Sequence, residues 1–474
     1  MSIDESRRGF LTRSGISLGS LGLLYLMGRE PAFGTIPSAS ANPLAPKQPP
    51  LPAHARNVIL IFLQGGASHL DTFDPKPVLS RLDGQPVPAS FRPESLNLQF
   101  INASEAKLMA SRFAFKKYGQ SGLELSDLFQ NLGQHADDLA VVRSCYHESF
   151  IHGPALNLLY NGSLLVGHPS IGSWVLYGLG SVSDSLPAFI VMSDGGVSGR
   201  NSKSFSSGYL PAIYQGTLMR TEGSPIMNLT RPASVGSSEQ RLMLDQIRDW
   251  NQQYAGERED DSRLAAHIAN YELAFRMQMA GPELIDIAKE PESARKMYCL
   301  DDEVAGKFGR MCLMSRRMVE RGVRFVQLIS TDWDGHVECD RNHLENSRKI
   351  DRPVAALVAD LKQRGLLKST LIVIAGEFGR TPIMQGTRGR DHHPYGFSIC
   401  MAGGGVSGGK VIGATDELGF RPVQDPLHVH DVHATMLALL GLDHRQLTYF
   451  FQGRSRRLTD VGGDKEFSAR LLQA

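Results

Sequence analysis

Imidazole, carboxylate and guanidinium groups recur in short clusters along this chain of 474 residues, and most of the clusters follow an apolar run. Gln64, Ser68, His69 and Asp71 come after residues 58–63, and His147, Glu148 and His152 after residues 139–143. Asp332, Trp333, Asp334, Gly335 and His336 follow the run ending near Ser330, and Glu377 and Arg380 follow residues 371–375. Arg390-Asp391-His392-His393 instead precedes the run that starts at Phe397. A divalent transition metal needs deprotonated oxygen or nitrogen donors converging from several segments, and imidazole with carboxylate suits Zn, Mn or Fe. Asp332 and His336 lie four apart with Asp334 between them, so one loop can present a carboxylate and an imidazole to the same ion.

Several polar motifs have plainer readings. Asp71-Thr72-Phe73-Asp74-Pro75 has the residue types of a turn and helix cap. Glu377 and Arg380 can form a buried ion pair that holds their loop. Gly403-Gly404-Gly405 and Gly408-Gly409 are not followed by the Lys-Ser/Thr of a phosphate loop, which leaves a flexible connector. His428, His430 and His433 flank a helix start at Asp431. Gly405-Val406-Ser407-Gly408-Gly409 matches the pattern of a nucleophile elbow, but no helix pattern follows it.

The elements that must position these clusters alternate. Residues 58–63 form a continuous apolar run ending in Gln64-Gly65-Gly66, the pattern of a strand buried on both faces that opens into a glycine loop. Further strands are predicted at 139–143, 188–192, 324–329, 371–375 and 397–401, with helices at 260–279, 303–321, 352–364 and 431–440. Alternation of this kind predicts an α/β fold, a mainly parallel sheet sandwiched by helices, with chemistry at the strands' C-terminal ends. Residues 195–251 are polar and rich in Gly and Ser, and read as an insertion or cap.

Composition limits the partners. Fifty Lys and Arg against 49 Asp and Glu leave a net charge of +1, without the basic excess that nucleic-acid binding requires. Five Cys with no short C-x-x-C spacing exclude a zinc ribbon, a redox dithiol and a disulfide scaffold. At the N-terminus, Arg7-Arg8 precede an uncharged run from Ile16 to Met27, too short to cross a bilayer, and then Ala39-Ser40-Ala41. These parts predict a twin-arginine signal over residues 1–41, read by the twin-arginine export machinery, and hence a periplasmic or extracytoplasmic protein. A Pro-rich linker is expected over 42–56, the main domain over 57–460 and a charged tail over 461–474, with no membrane span in the mature chain.

Five motifs together resemble a known family. Gly65-Gly66-Ala67-Ser68-His69-Leu70-Asp71-Thr72-Phe73-Asp74-Pro75-Lys76-Pro77, Trp333-Asp334-Gly335-His336, Gly376-Glu377-Phe378-Gly379-Arg380-Thr381-Pro382, Gly389-Arg390-Asp391-His392 and Gly413-Ala414-Thr415-Asp416-Glu417 are similar to the DUF1501 family of exported bacterial proteins. That family is labelled sulfatase-like and resembles the alkaline phosphatase superfamily. The resemblance implies a superfamily metal site here made of Asp332, His336 and His392, with Asp334 as competing carboxylate and Asp391 as a further candidate ligand. The superfamily's second metal site is altered: Gln64 stands near its first Asp, Glu377-Phe378 replaces Asp-His, and His152-Gly153-Pro154-Ala155 occupies the place of the nucleophile motif. No Cys/Ser-x-Pro-x-Arg sequence exists to supply a formylglycine, which argues against sulfatase chemistry of the usual kind.

The resemblance therefore implies a metal-dependent hydrolase of phosphate or sulfate esters or a related anionic group, with Zn or Mn as cofactor. Water or His152 would attack, Glu377 would be a ligand or base, and His69, Arg380 and Arg390 would hold a small or polymeric anionic substrate. The alternative is a degenerate member of the same fold that binds or assembles without catalysis.

Overall fold

The computed structural model describes residues 43–88, 91, 106–196, 204–221, 236–256, 277 and 286–472. The predicted signal over 1–41 lies outside these residues, as does all of the predicted helix 260–279 except Met277.

A single apolar strand, β1 (Asn57–Leu63), sits inside the sheet and is buried along its whole length. Alternate residues serve opposite faces. Val58, Leu60 and Phe62 belong to one core with Trp174 and Leu437, and Ile59, Ile61 and Leu63 belong to the other with Met311 and Leu357. Two-sided burial is why the run reads as continuously apolar rather than alternating.

Around β1 the sheet takes in β2 (Leu139–Tyr146), β3 (Phe189–Ser193), β4 (Thr217–Leu218), β5 (Phe325–Ser330) and β6 (Thr370–Ala375). A short hairpin outside the sheet pairs β7 (Gly379–Gln385) with β8 (Gly389–His393). The chain then returns through β9 (Phe397–Ala402), β10 (Lys410–Ile412) and β11 (Leu427–His428). The order across the sheet is β10-β2-β9-β6-β1-β5-β3-β4, with β11 also on β2. Every pairing is parallel except those of β9 with β2 and β6. Helices cover both faces: α1 (His152–Asn161), α2 (Ile171–Leu179) and α6 (Val429–Leu439) on one, α4 (Gly306–Glu320) and α5 (Cys339–Gln363) on the other. All six predicted strands are in this sheet, and the mainly parallel α/β sandwich stands.

Several boundaries differ from expectation. The polar segment 195–251 leads into a 20-residue helix, α3 (Ser237–Gly256), that ends beyond it, and Phe205, Leu210, Ile213 and Tyr214 of the segment pack into the core. The described part between 204 and 218 is thus a piece of the domain body. The described part of the expected linker, residues 43–56, is bonded to the domain. Lys47, Leu51, His54 and Ala55 donate backbone hydrogen bonds to Leu179, Gly441 and Leu439. Helix α5 starts at Cys339, thirteen residues before the predicted start, and runs through Pro353. Helix α6 is capped by His428, with Asp431 returning the bond from its third position. The glycines at 403–409 are held in place, with Gly404 N–H donating to Leu367 and Gly409 N–H to Leu139. Among the described residues, no helix is long and apolar enough to cross a membrane.

Candidate metal centre

Three loops at the C-terminal edge of the sheet are pressed together by residues that leave no room for side chains. Gly65, with φ at +115°, brings the loop after β1 onto the loop after β5. A Cβ at Gly65 would lie 2.5 Å from Asp334 N, and one at Gly389 would lie 1.8 Å from the carbonyl oxygen of His336. Backbone bonds lock the same contacts: Trp333 N–H donates to Gln64 O at 2.9 Å and Arg390 N–H to Gly335 O at 3.0 Å. Behind them, the buried His343 of α5 accepts from Ser68 N–H at 2.8 Å and fixes the glycine loop against the helix.

Within this frame Trp333 decides which acid reaches the site. Its ring is fully buried and its indole N–H donates to Ser330. Asp334, on its far side, points to Arg380, whose guanidinium donates to it at 2.6 Å. Asp332 has left-handed backbone (φ 74°), its carbonyl accepts from Asn342 and Asn346, and its carboxylate accepts from Thr331. Asp334, and not Asp332, is therefore the acid at the site.

His336 and His392 meet there. Their Nε2 atoms are 2.8 Å apart and stand 3.1 and 3.3 Å from Asp334 Oδ1. His152, the first residue of α1, approaches from the other side with Nε2 3.2 Å from Asp334 Oδ2. Donor atoms of these four residues all lie within 4.8 Å of one another. Asp391 faces away. It is buried in the bulge of β8, where its carboxylate accepts from His392 N–H.

Electrostatics favour an ionised Asp334 and divide the histidines around it. Burial opposes ionisation of Asp334, but His152, His392 and Arg380 hold its pKa far below the usual carboxylate range. Burial lowers the pKa of His392, against a smaller opposing pull from Asp334. For His152 burial acts in the same direction, but hydrogen bonds to Asp334 and Glu377 outweigh it and push the value up to about 9.

The donor set fits a first-row divalent ion. His392 Nδ1–H donates to the carbonyl of Phe150 at 2.8 Å, which leaves its Nε2 a lone pair when the ring is neutral. His336 Nδ1 is 2.7 Å from Gln385 Oε1 and is fixed in the same sense. Two nitrogen lone pairs 2.8 Å apart repel unless a cation or a proton stands between them. Ligand atoms bonded to zinc at about 2.0–2.1 Å sit about 3.3 Å from one another, close to the separations here. Backing of each imidazole by a protein acceptor is the outer shell that metal-binding histidines use.

The arginines serve this arrangement from behind. Arg380 is fully buried and donates to Gly65 O, Gly66 O, Arg390 O and Asp334. Arg390 is equally buried, forming an ion pair with Asp71 at 2.8 Å and donating to Thr381 O. His69 is buried as well, with Nε2–H donating to Gly419 O. Arg380, Arg390 and His69, read from the sequence as substrate contacts, are thus each buried and bonded within the fold. Glu377 is buried, takes two bonds from Gly65 N–H, and accepts from His152 Nδ1–H at 2.7 Å. Gln385 and the Phe150 carbonyl were invisible in the sequence. An amide seven residues before His392 and a main-chain oxygen carry no motif.

Comparison with known proteins adds one family and a set of distant folds. The model of a protein family of unknown function, DUF1501, matches residues 55–467. No curated protein matches the chain. Among solved structures, the PsFucS1 sulfatase from Pseudoalteromonas sp. is 13% identical with a TM-score of 0.35, over 88% of this chain and 72% of that one. A protein in the alkaline phosphatase superfamily from Vibrio parahaemolyticus is 11% identical with a TM-score of 0.34, over 89% and 74%. The alkaline phosphatase from the Antarctic bacterium TAB5 is 11% identical with a TM-score of 0.27, over 77% and 95%.

Proposed function

We propose that this chain, which belongs to the DUF1501 family, is an exported metal-dependent hydrolase acting on phosphate or sulfate esters or a related anionic group. The observation that carries the reading is the meeting of His336 Nε2, His392 Nε2 and Asp334 Oδ1 within 3.3 Å at the edge of the sheet. These three residues would hold Zn or Mn, which would supply Lewis acidity toward an ester oxygen.

The remaining residues prepare the site. Arg380 keeps Asp334 ionised and aimed, while Gln385 and the Phe150 carbonyl stand at the two Nδ1 atoms, so that each neutral ring turns an Nε2 lone pair to the cluster. Helix α1 starts at His152, and the first N–H groups of a helix have no partners within it, so an anion can bind beside the cluster. Gly153 leaves that approach open, with nothing within 4 Å of where a side chain would begin. Water is the attacking group. Both Glu377 oxygens are engaged by Gly65 N–H and one also by His152, so Glu377 is not in place to act as the base. The Arg7-Arg8 signal is the route out of the cytoplasm.

The test is a panel of aryl phosphate and aryl sulfate esters with the mature protein loaded with Zn or Mn. Turnover of at least one class, lost on chelation and regained on adding the ion, is expected. Metal-loaded protein inert toward both classes counts against the reading.

A further inference from the structure

We infer that His152 is a fourth ligand of the same ion and that Glu377 is the carboxylate that orients it; this rests on the metal reading given above. Three imidazoles at this site share one construction. Each commits Nδ1 to a protein acceptor: His336 to Gln385 Oε1 at 2.7 Å, His392 to Phe150 O at 2.8 Å, and His152 to Glu377 Oε1 at 2.7 Å. Each then presents Nε2 to the same carboxylate, at 3.1, 3.3 and 3.2 Å. The rings of His152 and His392 lie edge to face with centroids 4.2 Å apart, so the third imidazole belongs to the cluster itself.

A covalent nucleophile or a base would need its Nε2 lone pair directed at substrate. His152 Nε2 instead faces Asp334 Oδ2, the oxygen that the other two histidines leave free. Glu377 suits the orienting part. It is fully buried, fixed by two bonds from Gly65 N–H, and holds His152 from the side opposite Asp334. A buried carboxylate behind a ligating imidazole sets the tautomer and raises ligand basicity. Three nitrogen donors and one oxygen donor favour Zn or Mn over Mg or Ca, which take oxygen ligands.

The experiment strips the mature protein with a chelator and titrates Zn2+ in competition with a chromophoric chelator. It also records the visible spectrum of the Co2+ form. Wild type is compared with His152→Ala, His152→Gln and Glu377→Gln, with urea unfolding of each stripped protein to show that it is folded. Glu377→Gln is expected to weaken Zn2+ binding by about 10–100-fold. Loss of the ligand itself in either His152 variant is expected to cost at least as much and to change the Co2+ spectrum. Folded His152 variants with wild-type Zn2+ affinity and an unchanged spectrum overturn this inference while leaving the three-residue site standing. Wild type that binds neither ion overturns both. Should His152→Ala fail to fold, His152→Gln and Glu377→Gln decide on the same two readouts.

Discussion

Arg380 separates two accounts of this site, and replacing it with Gln keeps side-chain bulk while removing the charge. In the structure its guanidinium serves four acceptors: Gly65 O, Gly66 O, Arg390 O and Asp334 Oδ1. The charged bond to Asp334 is worth about 1.5–3 kcal/mol, and each carbonyl left buried without a donor costs about 1–3 kcal/mol. These terms are not additive, because a Gln amide recovers one or two of the bonds. The expected total is about 3–5 kcal/mol, the usual cost of breaking a buried charged network. It is measured as ΔG of unfolding in urea, with chelator present so that metal binding does not contribute. Zn2+ affinity should fall as well, since Asp334 is released from its aimed position. A loss below about 1 kcal/mol with normal Zn2+ affinity and a raised KM for an anionic ester would refute the reasoning, because Arg380 would then be contacting substrate.

The same logic gives three further expectations. Asp71→Asn leaves the buried Arg390 without its anion and should destabilise by about 3–5 kcal/mol at neutral pH in urea unfolding, while a change under about 1 kcal/mol would mean the pair is not structural. Although burial works to raise the Asp71 pKa, Arg390 brings it down to about 2, so its contribution is present above about pH 4 and disappears as pH falls through about 2. Burial holds His343 at about 4 and His433 at about 3, with His430 adding to the effect at His433. The unfolded chain then takes up protons first below about pH 6.5, each site costing about 3 kcal/mol or more by the time it titrates, so a urea midpoint that stays flat from about pH 7 to about pH 5 would contradict this burial. Gly389→Ala forces a Cβ onto the His336 carbonyl and should cost about 1–3 kcal/mol and weaken Zn2+ binding, and wild-type values for both would show that the β8 loop does not set His336.

How much of this was legible in the sequence depended on whether burial or residue type carried the signal. Residues 58–63 announce a central strand because both faces are covered, and no competing period exists. His336 and His392 could be paired because the motifs around them fit one arrangement. Choosing Asp334 over Asp332 could not be read, since a single buried ring, Trp333, sets which neighbour faces the cluster. Arg380 and Arg390 have the chemistry of anion binders, yet complete burial spends them on carbonyls and on Asp71. The sequence reading started this helix at residue 352, but a buried stripe beginning with Cys339 and His343 extends it N-terminally, and the helix runs through Pro353. The pairing of His152 with Glu377, the carboxylate behind it, could not be read either, since 225 residues separate the two.

The central claim is that Asp334, His336 and His392 bind a divalent metal. Its most direct test is the metal content, by inductively coupled plasma mass spectrometry, of mature wild-type protein and of the His336→Ala/His392→Ala double variant, both purified without chelator. The account predicts one equivalent of a first-row divalent ion, Zn or Mn, in wild type and only background in the double variant. Background metal in a folded wild type that also fails to take up Zn2+ or Mn2+, or an unchanged equivalent in the double variant, would contradict it.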